Sequence, residues 1–508
     1  MHRKTIVGAV AVAAVFLTAM APRIARSTDE YFQSDVADYM RAAKVGFWGL
    51  YADFHTATLA SWYSWSKSNP QFKAHPFDYL YEINDVASLR HYHGPGSMYF
   101  LAITGSLGLG EEQQRILLGL IGSLSYALLA WLLWRLGAGL PLAIGAGILA
   151  ALDLRNIATD LEPNPPHTIY IFLTMIFFVL ALEWVLRGRP NWLLYAGAGV
   201  LAMATVTFEL VVAIWISLIV GLFVAVWRQK IPLRDWAHPA LRFLAAYLVT
   251  LILLWPGGFA SGSFVLCFVG NLTIFRRLHL SASVPLMSVF ENVFHGYQLY
   301  VLLLAFVAVA AIAVLGGFVK NKERPEPLPV VFACYAVLAA MFGVSSHFWN
   351  VQYLTQTMVP VFLVSGLLVH LASARLGNWF RIAVAAVLFA AVGLNVIRLR
   401  NTSFQPSEYR QVVADLRKTA RSDDGIVLVN DINALMALRL YLPDYRFEMC
   451  AAPSQLTPRH PAAESSIRRA LLNEGLMDAA TTQEAKTLFP MQSAYRMNGK
   501  VAWLGNRK

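Results

Sequence analysis

Apolar runs of about 17 to 25 residues recur along most of this 508-residue chain. Each is long enough to cross ~30 Å of hydrocarbon as a helix rising about 1.5 Å per residue. Most of the core is therefore expected to be lipid-embedded helix. Composition agrees, with 57% apolar residues, 14% charged residues and a mean hydropathy of +0.51, far from the balance of a soluble domain.

Spans are expected near Arg115–Trp134, Pro141–Leu154, Thr168–Leu186, Trp192–Val206, Leu210–Trp227 and Pro239–Trp255. Four more are expected near Tyr300–Val319, Leu328–Val344, Tyr353–Leu371 and Trp379–Val396. With the run Thr5–Ala21 the count is about eleven. That first run follows the basic Met1–Lys4 and ends in Ala19-Met20-Ala21, which resembles a signal-peptide cleavage site. Similar segments follow throughout, so it is read as an uncleaved span.

Lys and Arg in short loops concentrate on the cytoplasmic side. With the N-terminus inside, Arg135, Arg187, Arg189, Arg228, Lys230, Arg234, Lys320, Lys322, Arg324, Arg375 and Arg381 all fall on inside turns, and Arg155 is the main exception. Counting Gly94–Leu109 as a full span would invert every later turn. It is expected instead to be an interfacial or re-entrant helix on the outer side, broken by Gly94, Pro95, Gly96 and Gly105. The expected domains are a transmembrane part over 1–400, with 22–114 as the first outer loop, and an extracytoplasmic α/β domain over 401–508. That tail carries a charged helical stretch at Glu408–Arg421, a strand at Gly425–Asn430 and a helix at Ile432–Tyr441. The expected location is the inner (plasma) membrane.

The net charge of +11 is spread over topology-setting clusters, which argues against nucleic-acid binding. Cys267, Cys334 and Cys450 lie far apart in sequence, implying neither disulfide framework nor zinc site. His55, His75, His91 and His93 show no ligand spacing with a third partner, so no metal and no other cofactor is expected.

In the first outer loop, Ser27-Thr28-Asp29-Glu30-Tyr31 follows the first span closely. A capping box at a helix start is one reading of its carboxylates. The loop is rich in Trp and Tyr, as an aromatic belt or a carbohydrate platform would be. Arg90 to Tyr99 combines cationic and donor side chains with a glycine turn, suited to a phosphate at headgroup level. Arg276 and Arg277 sit outside, against the charge rule, as headgroup anchors or phosphate partners. Glu209, Asp153 and Arg155 lie at outer ends of spans.

This order of features resembles the GT-C glycosyltransferases that use lipid-phosphate-linked sugars, among them the protein O-mannosyltransferases and the aminoarabinose transferases of lipid A. Asp29-Glu30 matches their acidic pair after the first span. His93-Gly94-Pro95-Gly96-Ser97-Met98-Tyr99 resembles their His-Pro-Pro-Leu-Tyr or His-Gly-Pro-Leu-Tyr motif. Gln352-Tyr353 followed by Pro360 stands where the family often has Arg-Tyr and a proline, so the arginine is missing here.

The resemblance implies an all-α polytopic GT-C fold and a polyprenyl-phosphate-sugar donor. Asp29 is then the base, Glu30 an orienting group, and His93, Arg276, Arg277 and Tyr353 the donor-phosphate residues. The acceptor hydroxyl belongs to a glycan, lipid or protein, and the reaction is expected to invert the anomeric centre. A transporter or lipid flippase would instead show paired halves and ionisable groups within spans. An inactive GT-C-like scaffold is the third reading.

Overall fold

The computed structural model describes residues 2–27, 34–52, 58–68, 93–161, 165–229, 232–268, 327–345, 362–363, 366, 377–401, 408–452, 456–458, 461–497 and 500–507. The chain divides into two compact units.

The first unit is helical: α1 (His2–Ala25), α3 (Gly46–Ala52), α4 (Leu59–Ser68), α5 (Gly96–Ser106), α6 (Glu111–Arg135), α7 (Leu140–Ala151), α8 (Leu154–Leu161), α9 (Pro165–Leu186), α10 (Asn191–Thr207), α11 (Val211–Gln229), α12 (Leu233–Leu254), α13 (Pro256–Ser261), α14 (Pro327–Ser345) and α15 (Asn378–Asn401). Within it, Val7–Ala25, Glu111–Arg135, His167–Leu186, Arg234–Leu254 and Asn378–Asn401 are long and apolar enough to cross a bilayer. The expected span Leu328–Val344 coincides with α14. The expected spans at Tyr300–Val319 and Tyr353–Leu371 fall wholly or largely outside the described residues. The chain is a polytopic membrane protein.

Two of the expected segments take a more specific form in the structure. The span expected over Pro141–Leu154 stops at Ala151, and α7 and α8 form a pair bent by 59°. The break lies at Asp153, whose Oδ1 accepts from the amides of Arg155 (3.1 Å) and Asn156 (3.4 Å). A carboxylate satisfying those first amides starts a new helix. The segment at Gly94–Leu109 forms the 11-residue α5, about 16 Å long at 1.5 Å per residue and too short to span.

A buried ion pair and its hydrogen bonds join five of these helices. Arg23 at the end of α1 donates from Nε (2.9 Å) and Nη2 (2.6 Å) to Asp160 Oδ2 in α8. Its Nη1 donates to the carbonyls of Ala19 and Ala151. Tyr126 of α6 donates to Asp160 Oδ2 (3.0 Å) and Thr168 of α9 to Oδ1 (3.0 Å). The two charged side chains are only 1% and 3% exposed. Gly122 leaves the space: a Cβ there would collide with the Asp160 carboxyl group. Small residues let helix backbones approach in this way.

The second unit joins α2 (Ser34–Ala43) to the C-terminal segment: α16 (Tyr409–Thr419), β1 (Ile426–Val429), α17 (Ile432–Tyr441), β2 (Arg446–Ala452), β3 (Thr457–Pro458), β4 (Ile467–Asn473), α18 (Ala479–Leu488), β5 (Met491–Met497) and β6 (Lys500–Asn506). Its sheet runs β3-β2-β1-β4-β6-β5, with β1 parallel to β2 and β4. Alternation along β1 divides the core. Val427 and Val429 pack with Leu416 of α16, Leu435 and Leu438 of α17, and Val36 and Ala37 of α2. Leu428 packs with Leu472, Trp503, Ala485 and Phe489 on the other face. Thus α2, from the first loop, completes the core of the C-terminal α/β unit, and Lys44 caps the Leu440 carbonyl (3.0 Å).

Two stability outcomes follow. Removing one partner of a buried ion pair strands the other, at a cost of about 3–5 kcal/mol. Asp160→Ala is therefore expected to lower the thermal unfolding midpoint of detergent-solubilised protein sharply, while Arg23→Met combined with Asp160→Leu recovers much of the loss. Val36→Asp, which places a charge in the core shared with α16 and α17, is expected to expose 408–507 to limited proteolysis.

Candidate functional site

The glycine turn ahead of α5 is fixed by close approach rather than by flexibility. A Cβ at Gly94 would lie 2.5 Å from the Val206 carbonyl oxygen, and one at Gly96 would lie 2.5 Å from Thr207 Oγ1. Only glycine lets this segment press against the last turn of α10 at both points. Pro95 between them fixes its own φ at −77°.

That contact delivers His93 to the residues that follow α10. Phe208 leaves the helix in an extended conformation (φ −157°, ψ 139°), and Glu209 comes next in the chain. The Glu209 carboxylate accepts from His93 Nδ1, with Oε1 at 2.9 Å, and both side chains are 15% exposed. With the carboxylate accepting, the shared proton is assigned to Nδ1. Partial burial strengthens such a pair relative to one in open water.

Phe208 anchors the surroundings. Its ring lies 6.4 Å from His93, 5.2 Å from His167 and 5.5 Å from Tyr170. His167 and Tyr170 come from the first turns of α9 and are buried. Tyr170 shares a hydrogen bond with Tyr335 of α14 (3.1 Å). Tyr99 of α5 donates to the Leu254 carbonyl (2.6 Å), and burial pushes its hydroxyl well above the ordinary tyrosine range, so it stays a neutral donor. Imidazoles, a carboxylate and aromatic faces therefore meet at the start of α5 and α9 and the end of α10. Such a set can orient a polar ligand and hold a proton at His93.

Of the six candidate site residues, His93 alone is among the described residues. Asp29, Glu30, Arg276, Arg277 and Tyr353 lie outside them. Among the described residues no group of three His, Cys, Asp or Glu is arranged to hold a metal ion. Glu209 was singled out for its place at a helix end, but its partner was not foreseen. His167 was missed, although its position directly after Pro165-Pro166 and before an apolar run marks a helix start. Arg23 and Asp160 were missed because nothing local links residues 137 apart.

No family model matches the chain, and no curated protein matches it in sequence. Solved structures do match in three dimensions. ArnT from Cupriavidus metallidurans in the apo state aligns with a TM-score of 0.54 at 12% identity, covering 99% of this chain and 98% of that one. The same protein bound to undecaprenyl phosphate aligns with a TM-score of 0.52 at 13% identity, covering 99% and 97%. The correspondence runs the length of both chains, and this chain therefore has the fold of ArnT, the GT-C fold.

Proposed function

We propose that the chain is a membrane glycosyltransferase that moves a sugar from a polyprenyl-phosphate donor to an acceptor hydroxyl on the outer face of the inner membrane. The observation that carries the reading is the His93–Glu209 pair, locked by Gly94 and Gly96 against the end of α10, in a chain with the fold of a protein that binds undecaprenyl phosphate. The basic turns at Arg135, Arg187–Arg189 and Arg228–Arg234 support an orientation with the opposite helix ends in the cytoplasm and His93 outside.

A sugar on a lipid phosphate already has a good leaving group. Transfer needs a base for the acceptor proton and donors to meet the charge that grows on the departing phosphate. Asp29 is the base and takes the acceptor proton as the hydroxyl oxygen attacks the anomeric carbon. Glu30 orients the acceptor or a neighbouring basic group. The phosphate leaves toward His93, Arg276, Arg277 and Tyr353. Direct displacement, with no sugar bound to the enzyme, inverts the anomeric centre and needs no carboxylate nucleophile. Glu209 serves as a positioning residue: its carboxylate fixes the His93 ring and its tautomer, presenting Nε2 toward the phosphate.

Transfer from a polyprenyl-phosphate sugar, followed in proteoliposomes, tests each role. Asp29→Asn is expected to lower kcat by about 10²–10⁴-fold, the usual contribution of a positioned base; full activity would remove Asp29 from the mechanism. Glu209→Gln is expected to raise the donor KM by about tenfold or more, the scale of one charge-assisted hydrogen bond, while the acceptor KM holds. Equal losses for both substrates would assign Glu209 a purely structural part.

A further inference from the structure

A chamber of about 340 Å³ lies between α9, α10, α11 and α12. Its walls come from the C-terminal half of α9 (Phe177, Trp184), the first turns of α10 (Leu194, Gly197), the middle of α11 (Leu222) and the start of α12 (Trp236, Phe243). These are the helix ends opposite the His93–Glu209 pair, which sits at the start of α9 and the end of α10. Ile219 and Leu244 line the chamber and are also exposed on the molecular surface, so it opens sideways toward lipid.

The lining is hydrocarbon and aromatic, with two polar exceptions. The indole Nε1 groups of Trp184 and Trp236 are shielded from solvent and have no acceptor among the described residues. Buried N–H donors without partners are rare and costly in folded proteins. Each would be satisfied by an oxygen arriving from outside. The two rings lie 6.5 Å apart.

A cation stands over both rings. The α9–α10 turn closes with Arg189 N donating to the Trp184 carbonyl (2.7 Å) and with Gly188 and Arg189 both at positive φ (74° and 66°). A non-glycine residue in that region is uncommon. Here it swings the guanidinium to 4.7 Å from the Trp236 ring centroid and 5.5 Å from that of Trp184. The nearby acid, Glu183, is bridged by both Arg135 (3.0 Å) and Arg187 (2.8 Å), whereas Arg189 has no carboxylate partner among the described residues. The Trp184–Trp236 end of the chamber is thus overlain by a cation and offers N–H donors, and its interior is apolar.

We propose that this chamber holds one acyl chain of an anionic diacyl phospholipid, whose phosphate is bound by the Arg189 guanidinium and the Trp184 and Trp236 indole N–H groups. Charge complementarity selects the occupant: a cation and two donors at the level of the helix ends match a headgroup phosphate, and the chamber behind them matches its hydrocarbon. The site faces the cytoplasmic leaflet under the charge pattern of the turns, on the other side of the bilayer from the transferase site. It does not depend on the transferase reading.

Native mass spectrometry of the full chain in detergent, titrated with phosphatidylglycerol or phosphatidylcholine of the same acyl chains, tests it. The wild type is expected to retain one phosphatidylglycerol with a preference of at least about fivefold, the scale of one basic residue acting on an anionic headgroup. Arg189→Gly, which accepts the positive φ, is expected to abolish that preference while still taking either lipid. Ala240→Trp, projecting into the chamber from α12, is expected to retain neither. Equal retention of both lipids by the wild type would overturn the proposal, as would an unchanged preference in Arg189→Gly or displacement of phosphatidylglycerol by equimolar undecaprenyl phosphate. Phosphatidylglycerol held by a folded Ala240→Trp protein would also overturn it; if that variant fails to fold, Arg189→Gly decides.

Discussion

The first unit depends on the buried contact between Arg23 and Asp160. A charge inside a helical membrane protein is tolerated only when its partners are complete, and here they are. Asp160 accepts from Arg23, Tyr126 and Thr168, and Arg23 also reaches two backbone carbonyls. The consequence is geometric. The exit of α1 is tied to α6, α8 and α9, six residues before Asp29. On the far side of Glu30, α2 begins four residues later and is fixed in the core of the C-terminal unit through Val36 and Ala37.

Close helix packing does the corresponding work around His93. Gly94 and Gly96 permit backbone contact with Val206 and Thr207, and that contact carries His93 to Glu209. The arrangement explains why a helix too short to span nonetheless has a buried face: Met98, Tyr99, Leu101 and Ala102 of α5 are all covered. Its role is to present the chain that precedes it.

How much of this could be read from the sequence depended on the range of the interaction involved. Elements set by local patterning emerged well. The Ile432–Tyr441 helix has the bounds expected, and the strand expected at Gly425–Asn430 contains β1, because an apolar run next to an amphipathic one leaves little choice. The GT-C fold was legible from the order of the spans and the glycine motif. Features set by distant partners were not legible. The ion pair links residues 137 apart. The seat of α2 depends on Leu435 and Leu438, roughly 400 residues later. The break at Asp153 looked like the end of a span, since a carboxylate there reads as solvated until its amide partners are known. In the site, Glu209 was visible as a charge at a helix end and His93 as part of a motif, but their pairing required the fold.

The central claim is that a lipid-linked phosphate is received at the His93–Glu209 end of the helices. An electron cryomicroscopy map of the chain with undecaprenyl phosphate in nanodiscs tests it most directly. The account predicts phosphate density within about 3 Å of His93 Nε2, the reach of a hydrogen bond, with Glu209 still on Nδ1. Phosphate density at the opposite helix ends, or His93 turned away from a phosphate bound elsewhere, would contradict it.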